Sequence, residues 1–179
     1  MIRAFLALPL PETVLSALRV QQFLLPLPQK TDPDSFHLTL VFLGEQPEPL
    51  LQAAHERFSE IRIPPFALSL KSLGLFGGTK PRAAWAGVAP SEPLTRLQAK
   101  LDHAARSAGI ATERRRFTPH VTLGRFPPPG PEETFRLERA IAAGSSFTTP
   151  EWEVDHVILY ESRLTKRGSI YSELARYDL

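Results

Sequence analysis

The sequence predicts an α+β fold built from two duplicated lobes, with two antiparallel-rich sheets facing a central cleft and with helices on the outside. The order strand, helix, strand, helix, strand occurs twice along the 179 residues, and each time a His-x-Thr unit lies in the third element. We therefore expect a single domain over residues 1–179. Its lobes are expected at roughly 1–78 and 79–179, with late strands that can be exchanged between them.

Hydrophobic periodicity places the individual elements. Strict alternation of apolar residues predicts strands, and apolar residues at helical spacing, as at Leu94, Leu97 and Leu101, predict helices. Strands are predicted at 2–8, 36–43, 66–75, 82–89, 119–126, 151–160 and 169–177. Helices are predicted at 12–25, at about 48–61, at 92–108 and at 131–143. The 18 prolines cluster in the connections between these elements.

Composition narrows the class of protein. The chain has no cysteine, which excludes a disulfide framework and a thiol nucleophile and favours a cytoplasmic protein. No run of 18 or more apolar residues predicts a membrane span, so we expect no membrane partner. The formal charge of +2 is too small for a nucleic-acid coat. A chain of this length can bury its own core, and the internal repeat makes a monomer the expected state.

The two His-x-Thr units carry the chemistry. His37 and Thr39 belong to FHLTLVFLGE, and His120 and Thr122 belong to FTPHVTLGRF. Because side chains alternate along a strand, the histidine and the threonine of each unit share one face while the intervening residue points to the other. A lone histidine in an apolar strand is more often a hydrogen-bonded core residue. Two copies in the same local pattern indicate a shared site instead.

Such a pair suits the cleavage of a phosphoester. One imidazole can accept a proton while the other donates one, and two hydroxyls can hold the oxygens of a phosphoryl group. Basic residues also gather near the motifs: Arg114, Arg115 and Arg116 precede the second unit, and Arg125 follows it. Arginine runs are often solvated loop faces, but a phosphate-bearing ligand would use their charge.

The sequence resembles the RNA 2′,3′-cyclic phosphodiesterase family, also called 2′-5′ RNA ligases, within the two-histidine phosphoesterase superfamily. The resemblance covers nearly the whole chain. It includes RAFLALPLP at the start, both His-x-Thr blocks, KPRAAWAGV in the middle and LYESRLTKRGSIYSEL near the end. A single His-x-Thr is a weak signal, but the two extended blocks in this order are specific.

The resemblance implies a bilobal, metal-independent hydrolase without a cofactor, acting on RNA or an oligonucleotide that ends in a 2′,3′-cyclic phosphate. The product would be a 2′-phosphomonoester, and the resemblance also implies a reversible 2′-5′ RNA ligation. By this resemblance His37 is the proton donor to the leaving 3′ oxygen and His120 is the proton acceptor that activates water. Thr39 and Thr122 are then the donors to the nonbridging oxygens.

Two further residues are candidates for substrate contacts. Arg125 would bind phosphate, although in a regular strand it would share the face of Leu123, so its reach depends on a bend at Gly124. Phe42 could stack on a nucleobase, but aromatic residues in strands are more often part of the core.

Other functions remain open at this point. The same site could serve an RNA ligase, a cyclic phosphodiesterase of small nucleotides or a 3′ exonuclease. A basic cleft could also bind RNA without turnover. A zinc hydrolase is disfavoured, because such sites usually need three protein ligands and each His-x-Thr unit offers one histidine with no carboxylate at ligand spacing.

Overall fold

The computed structural model describes residues 1–166 and 168–179 and confirms the predicted α+β class. Within these residues the chain forms four α-helices and nine β-strands. In chain order they are β1 Ile2–Leu8, α1 Glu12–Leu24, β2 Leu38–Gln46, α2 Glu48–Ser59, β3 Phe66–Leu68, β4 Leu70–Phe76, β5 Ala83–Val88, α3 Glu92–Ser107, β6 His120–Arg125, α4 Pro131–Ala143, β7 Trp152–Val154, β8 His156–Thr165 and β9 Gly168–Asp178.

The described strands form two larger sheets and one small one, all with antiparallel pairing. The first sheet has the order β2-β1-β8-β9, the second has the order β4-β5-β6, and β3 pairs with β7. Strands therefore cross between the halves of the sequence: β8 and β9 join the sheet of β1 and β2, and β4 joins the sheet of β5 and β6. Each half of the sequence completes the sheet of the other.

The two strands that carry the His-x-Thr units are edge strands. β2 is an outermost strand of the first sheet and β6 is an outermost strand of the second, and the two strands lie in contact with each other. We call the contact between β2 and β6 the seam. Helices cover the other side, where α3 packs on α2 and β2 while α1 packs on β6. Leu38, Leu123 and the α3 stripe of Leu94, Leu97 and Leu101 are buried there.

Two predicted strands are each divided in the structure. The strand predicted at 66–75 becomes β3 and β4, and the strand predicted at 151–160 becomes β7 and β8. In both cases the chain leaves the small sheet and enters a larger one, turning at Ser69 or Asp155. Apolar alternation continues through Ser69, so periodicity could not reveal that turn, whereas it is interrupted at Asp155 and His156, a signal that the prediction overlooked.

The strand predicted at 36–43 begins later than expected. Residues Pro33–Ser35 form a short 3-10 turn capped by the Asp32 carboxylate, which accepts a hydrogen bond from the backbone N–H of Asp34 at 3.0 Å. β2 then starts at Leu38, so His37 lies immediately before the strand rather than within it. His120, in contrast, is the first residue of β6.

Gly74 provides space for an aromatic side chain beside the second motif. Trp85 lies opposite Gly74 in the β4–β5 ladder, and a Cβ at position 74 would lie 2.2 Å from the indole ring. Trp85 is in turn the cross-strand partner of Thr122. The glycine therefore allows Trp85 to lie flat across β4 and support the motif strand.

Gly74→Ser should destabilise the protein by about 1–3 kcal/mol, because the added Cβ displaces the indole within a packed sheet. Urea unfolding followed by Trp fluorescence measures this loss. Gly130→Ser is the matched control, since a Cβ at position 130 meets no atom within 4 Å and serine is favoured at the N-cap of α4. Equal stability of the two variants would contradict this packing role.

Candidate active site

Both motif histidines are held in the same way by the backbone. The Nδ1 of His37 donates to the carbonyl oxygen of Ser35 at 2.7 Å, and the Nδ1 of His120 donates to the carbonyl oxygen of Thr118 at 2.7 Å. A carbonyl oxygen can only accept, so Nδ1 carries the proton in each ring. Nε2 is therefore the nitrogen that gains or loses a proton at both sites. Two such atoms are what paired acid and base catalysis requires.

The threonines lie beside the histidines as the alternation of a strand predicts. Thr39 and Thr122 are half-buried, and the Thr39 hydroxyl lies 3.0 Å from the Nε2 of His37. In the neutral ring Nε2 accepts, so the hydroxyl is then the donor in this bond. Thr122 is opposite Trp85 across the ladder, and Thr39 is opposite Ala7. The two units thus occupy equivalent ladder positions in the two sheets.

Aromatic rings enclose each imidazole. Around His37, the centroid of Phe5 lies at 4.9 Å and that of Tyr171 at 5.1 Å with its ring nearly perpendicular. Around His120, the ring of Phe76 lies at 4.8 Å, also nearly perpendicular. These rings restrict the rotation of the imidazoles and displace water from them.

Sequence reasoning missed Tyr171 and Phe76 as members of the site. Tyr171 lies on β9, whose place beside β8 brings it to the ring of Phe5, and Phe76 lies on β4. Neither residue stands near a motif in the sequence. The signal that could have found them is the exchange of late strands between the lobes, because that exchange brings β8, β9 and β4 to the motif strands.

Burial lowers the pKa of both histidines below the usual value of 6.5, because an imidazolium is poorly solvated there. The hydrogen bonds to Ser35 and Thr118 oppose this effect. The charge of Arg125 lowers both pKa values further, and the charge of His120 lowers that of His37. One guanidinium therefore acts on both rings, and the two rings act on each other.

Arg125 lies on the side of the His-x-Thr side chains because β6 contains a β-bulge. In the β5–β6 ladder Ala84 pairs with Gly124 while the next residue, Trp85, pairs with Thr122, so Leu123 is an extra residue without a partner. An extra residue shifts the alternation of side chains by one position. Arg125 consequently lies on the same side as Thr122 and not on that of Leu123, which explains its electrostatic effect on both histidines.

The other basic and aromatic candidates differ in what they contact. The Phe42 side chain is 36% exposed, and the guanidinium of Arg3 lies 4.8 Å from its ring centroid. Stacking of Phe42 on a base stays a prediction. Arg114 and Arg116 are exposed, whereas Arg115 pairs with Glu113 and its charge contributes to the lowered pKa of His120.

The remaining histidines make contacts elsewhere. The Nδ1 of His55 lies 2.8 Å from the Tyr177 hydroxyl, His156 pairs with Asp155, and His103 lies on the exposed side of α3. Within residues 1–166 and 168–179, no group of three or more His, Cys, Asp or Glu side chains is placed to hold a metal ion. In the same part of the chain no helix combines the length and the apolar character needed to cross a membrane.

A phosphoesterase built from antiparallel sheets and surrounding helices is the class of protein that this fold defines. The chain belongs to the 2′-5′ RNA ligase superfamily, whose family model matches residues 11–166.

Relatives and solved structures agree with this membership. An RNA 2′,3′-cyclic phosphodiesterase of Aeropyrum pernix is 33% identical over 83% of this chain and 85% of its own. One of Methanothermobacter thermautotrophicus is 30% identical over 99% of both chains. The crystal structure of E. coli LigT complexed with 3′-AMP superposes with a TM-score of 0.79 at 27% identity, covering 99% of this chain and 98% of that one.

Arg125→Ala should raise the pKa of both His37 and His120, since a positive charge that disfavours each imidazolium is removed. An NMR titration of the two imidazole rings measures this change. Arg125→Lys keeps the charge and should leave both titrations close to those of the unmodified protein. If Arg125→Ala changes the pKa of only one histidine, the result would contradict an effect of Arg125 on both rings.

Proposed function

We propose that this protein is a metal-independent phosphodiesterase that opens the 2′,3′-cyclic phosphate at the end of an RNA and leaves a 2′-phosphate. The observation that supports this proposal most directly is the matched pair of half-buried histidines, each with Nδ1 locked to a backbone carbonyl and Nε2 left to titrate. Relatives of this chain carry the name RNA 2′,3′-cyclic phosphodiesterase. The RNA end is accordingly the proposed partner.

His120 is assigned as the proton acceptor and His37 as the proton donor. Neutral His120 takes a proton from water at Nε2 while the water oxygen bonds to phosphorus. Protonated His37 gives its Nε2 proton to the 3′ oxygen as the bond between phosphorus and that oxygen breaks. Donor and acceptor exchange roles in the reverse direction, which joins a 2′-phosphate to a 3′ oxygen with loss of water. At the end of the step His120 is protonated and His37 is neutral, and proton exchange with the solvent restores the starting state.

The phosphate itself supplies part of the electrostatics. Both histidines have lowered pKa values in the free protein, yet the proposed cycle requires one imidazolium. A bound phosphodiester is an anion, and an anion beside the rings favours the charged form. Substrate binding therefore promotes protonation of the donor ring, and Arg125 balances the charge of the phosphoryl oxygens.

The threonines are proposed to bind the nonbridging oxygens. Thr39 and Thr122 hold equivalent ladder positions in their two sheets, and each hydroxyl stands two residues beyond its histidine. Donors fixed before the reaction stabilise charge that builds up on these oxygens in the transition state. The hydrogen bond from Thr39 to His37 would be exchanged for one to the substrate.

His37→Ala and His120→Ala should each reduce turnover by about 10²–10⁴-fold, the usual contribution of a positioned acid or base. The substrate is an oligoribonucleotide with a 2′,3′-cyclic phosphate end, incubated with EDTA, and the position of the product phosphate is read by NMR or by nuclease sensitivity. The product of the unmodified enzyme should carry its phosphate on the 2′ oxygen.

His103→Ala is the matched control, because it removes an imidazole from the exposed side of α3 and should retain full turnover. A non-catalytic RNA-binding protein would show no hydrolysis in any of these samples. Loss of turnover on addition of EDTA would contradict the metal-independent reaction.

A further inference from the structure

The two motif strands carry the same irregularity at the same place. In the β1–β2 ladder Leu6 pairs with Val41 while Ala7 pairs with Thr39, so Leu40 has no partner. In the β5–β6 ladder Leu123 is the residue without a partner. Each unpaired leucine directly follows the threonine of its His-x-Thr unit. Bulges of this kind re-aim the neighbouring side chains, and they weaken the ladder where they occur.

A glutamine from the opposite half of the sequence binds the carbonyl of each bulged leucine. Gln22 on α1 donates from Nε2 to Leu123 O at 2.8 Å. Gln98 on α3 donates from Nε2 to Leu40 O at 3.4 Å. α1 precedes the first motif and binds the second, whereas α3 precedes the second motif and binds the first. Each glutamine lies on the helix that packs on the strand it binds, α1 on β6 and α3 on β2, so each bulge is held by a helix from the other half of the sequence.

The contact made by Gln22 is the stronger of the two. Its side chain is only 5% exposed, and the same Nε2 also donates to Thr31 O at 2.7 Å. The backbone N–H of Thr31 in turn donates to Leu123 O at 3.0 Å. Gln22 thus uses both amide protons, and one turn of α1, the segment at Thr31 and the bulge of β6 form a single hydrogen-bonded group.

The surrounding chain leaves little room for movement at this point. A Cβ at Gly124 would lie 2.4 Å from Gln29 O, so the segment that follows α1 packs directly against the backbone of β6. Leu123 O accepts from both Gln22 and the backbone N–H of Thr31, and Leu40 O accepts from Gln98. A buried carbonyl that loses a donor costs free energy, so both bulges depend on partners outside their own ladder.

We propose that Gln22 and Gln98 are positioning residues that fix the bulge of each His-x-Thr strand against the helix packed on it. Each bulge leaves the residue after the threonine without a ladder partner, so the ladder alone does not fix the backbone there. Each glutamine fixes that backbone, and with it the direction of the neighbouring threonine and histidine side chains. This inference rests on the proposed function, because paired acid and base catalysis needs both Nε2 atoms at one phosphate.

Gln22→Leu tests the proposal, since it keeps the approximate volume and removes both donors. We expect kcat on the cyclic-phosphate oligonucleotide to fall by about 10–100-fold, because small misplacements of reacting groups have effects of this size. KM should change by less than about threefold, as the threonines and Arg125 remain. Gln98→Leu should reduce kcat by a smaller factor, because the hydrogen bond that Gln98 donates is longer and only partly buried.

Gln21→Leu is the matched control, since it makes the same substitution on the neighbouring residue of α1, which is not part of the buried hydrogen-bonded group. All variants are assayed at a temperature where circular dichroism shows them fully folded. The imidazole NMR signals of His37 and His120 give a readout independent of turnover. They should shift in Gln22→Leu and Gln98→Leu and stay in place in Gln21→Leu.

A merely structural role would lower the melting temperature of Gln22→Leu while kcat and both imidazole signals stay as in the unmodified protein, and that result would overturn the proposal. If Gln22→Leu does not fold, Gln98→Leu decides by the same criteria. If the unmodified protein does not turn over the substrate, the proposed function fails, and the imidazole signals alone then decide whether the glutamines position the motifs.

Discussion

The structure depends on the seam between β2 and β6. Each is an edge strand, and edge strands present backbone groups that need partners. Here the two edges lie against each other, and each carries a histidine at its start and a threonine two residues later. A site assembled at a seam draws its two His-x-Thr units from different sheets. Its geometry is consequently set by whatever holds the two sheets together.

The exchange of strands between the halves supplies much of that cohesion. β8 and β9 come from the second half of the sequence but complete the sheet of β1 and β2, and β4 makes the reverse crossing. Separating the two larger sheets would therefore strain the chain segments that connect them. The same exchange brings Tyr171 and Phe76 to the imidazoles, so it provides the aromatic surroundings that lower the pKa of both histidines.

Much of this arrangement follows from the sequence and some does not. Periodicity located the helices to within two residues at each end, and the repeated motif identified the two histidines that the structure holds alike. Local pattern could not show the turn at Ser69, because the apolar alternation runs through it, whereas the interruption at Asp155 and His156 does mark the other turn. It also could not show the bulges at Leu40 and Leu123, since an extra residue leaves no mark in composition. The reach of Arg125 depends on one of these bulges.

In the proposed mechanism His37 acts as the acid and His120 as the base at one phosphate. The pH dependence of kcat/KM tests it most directly, measured for the unmodified enzyme and for the residual activity of each alanine variant. We expect a bell centred below pH 6.5, because both pKa values are lowered. His37→Ala should lose the alkaline limb and His120→Ala the acidic limb. If the pH profiles of both alanine variants keep the acidic and the alkaline limb, the result would contradict these roles of the two histidines.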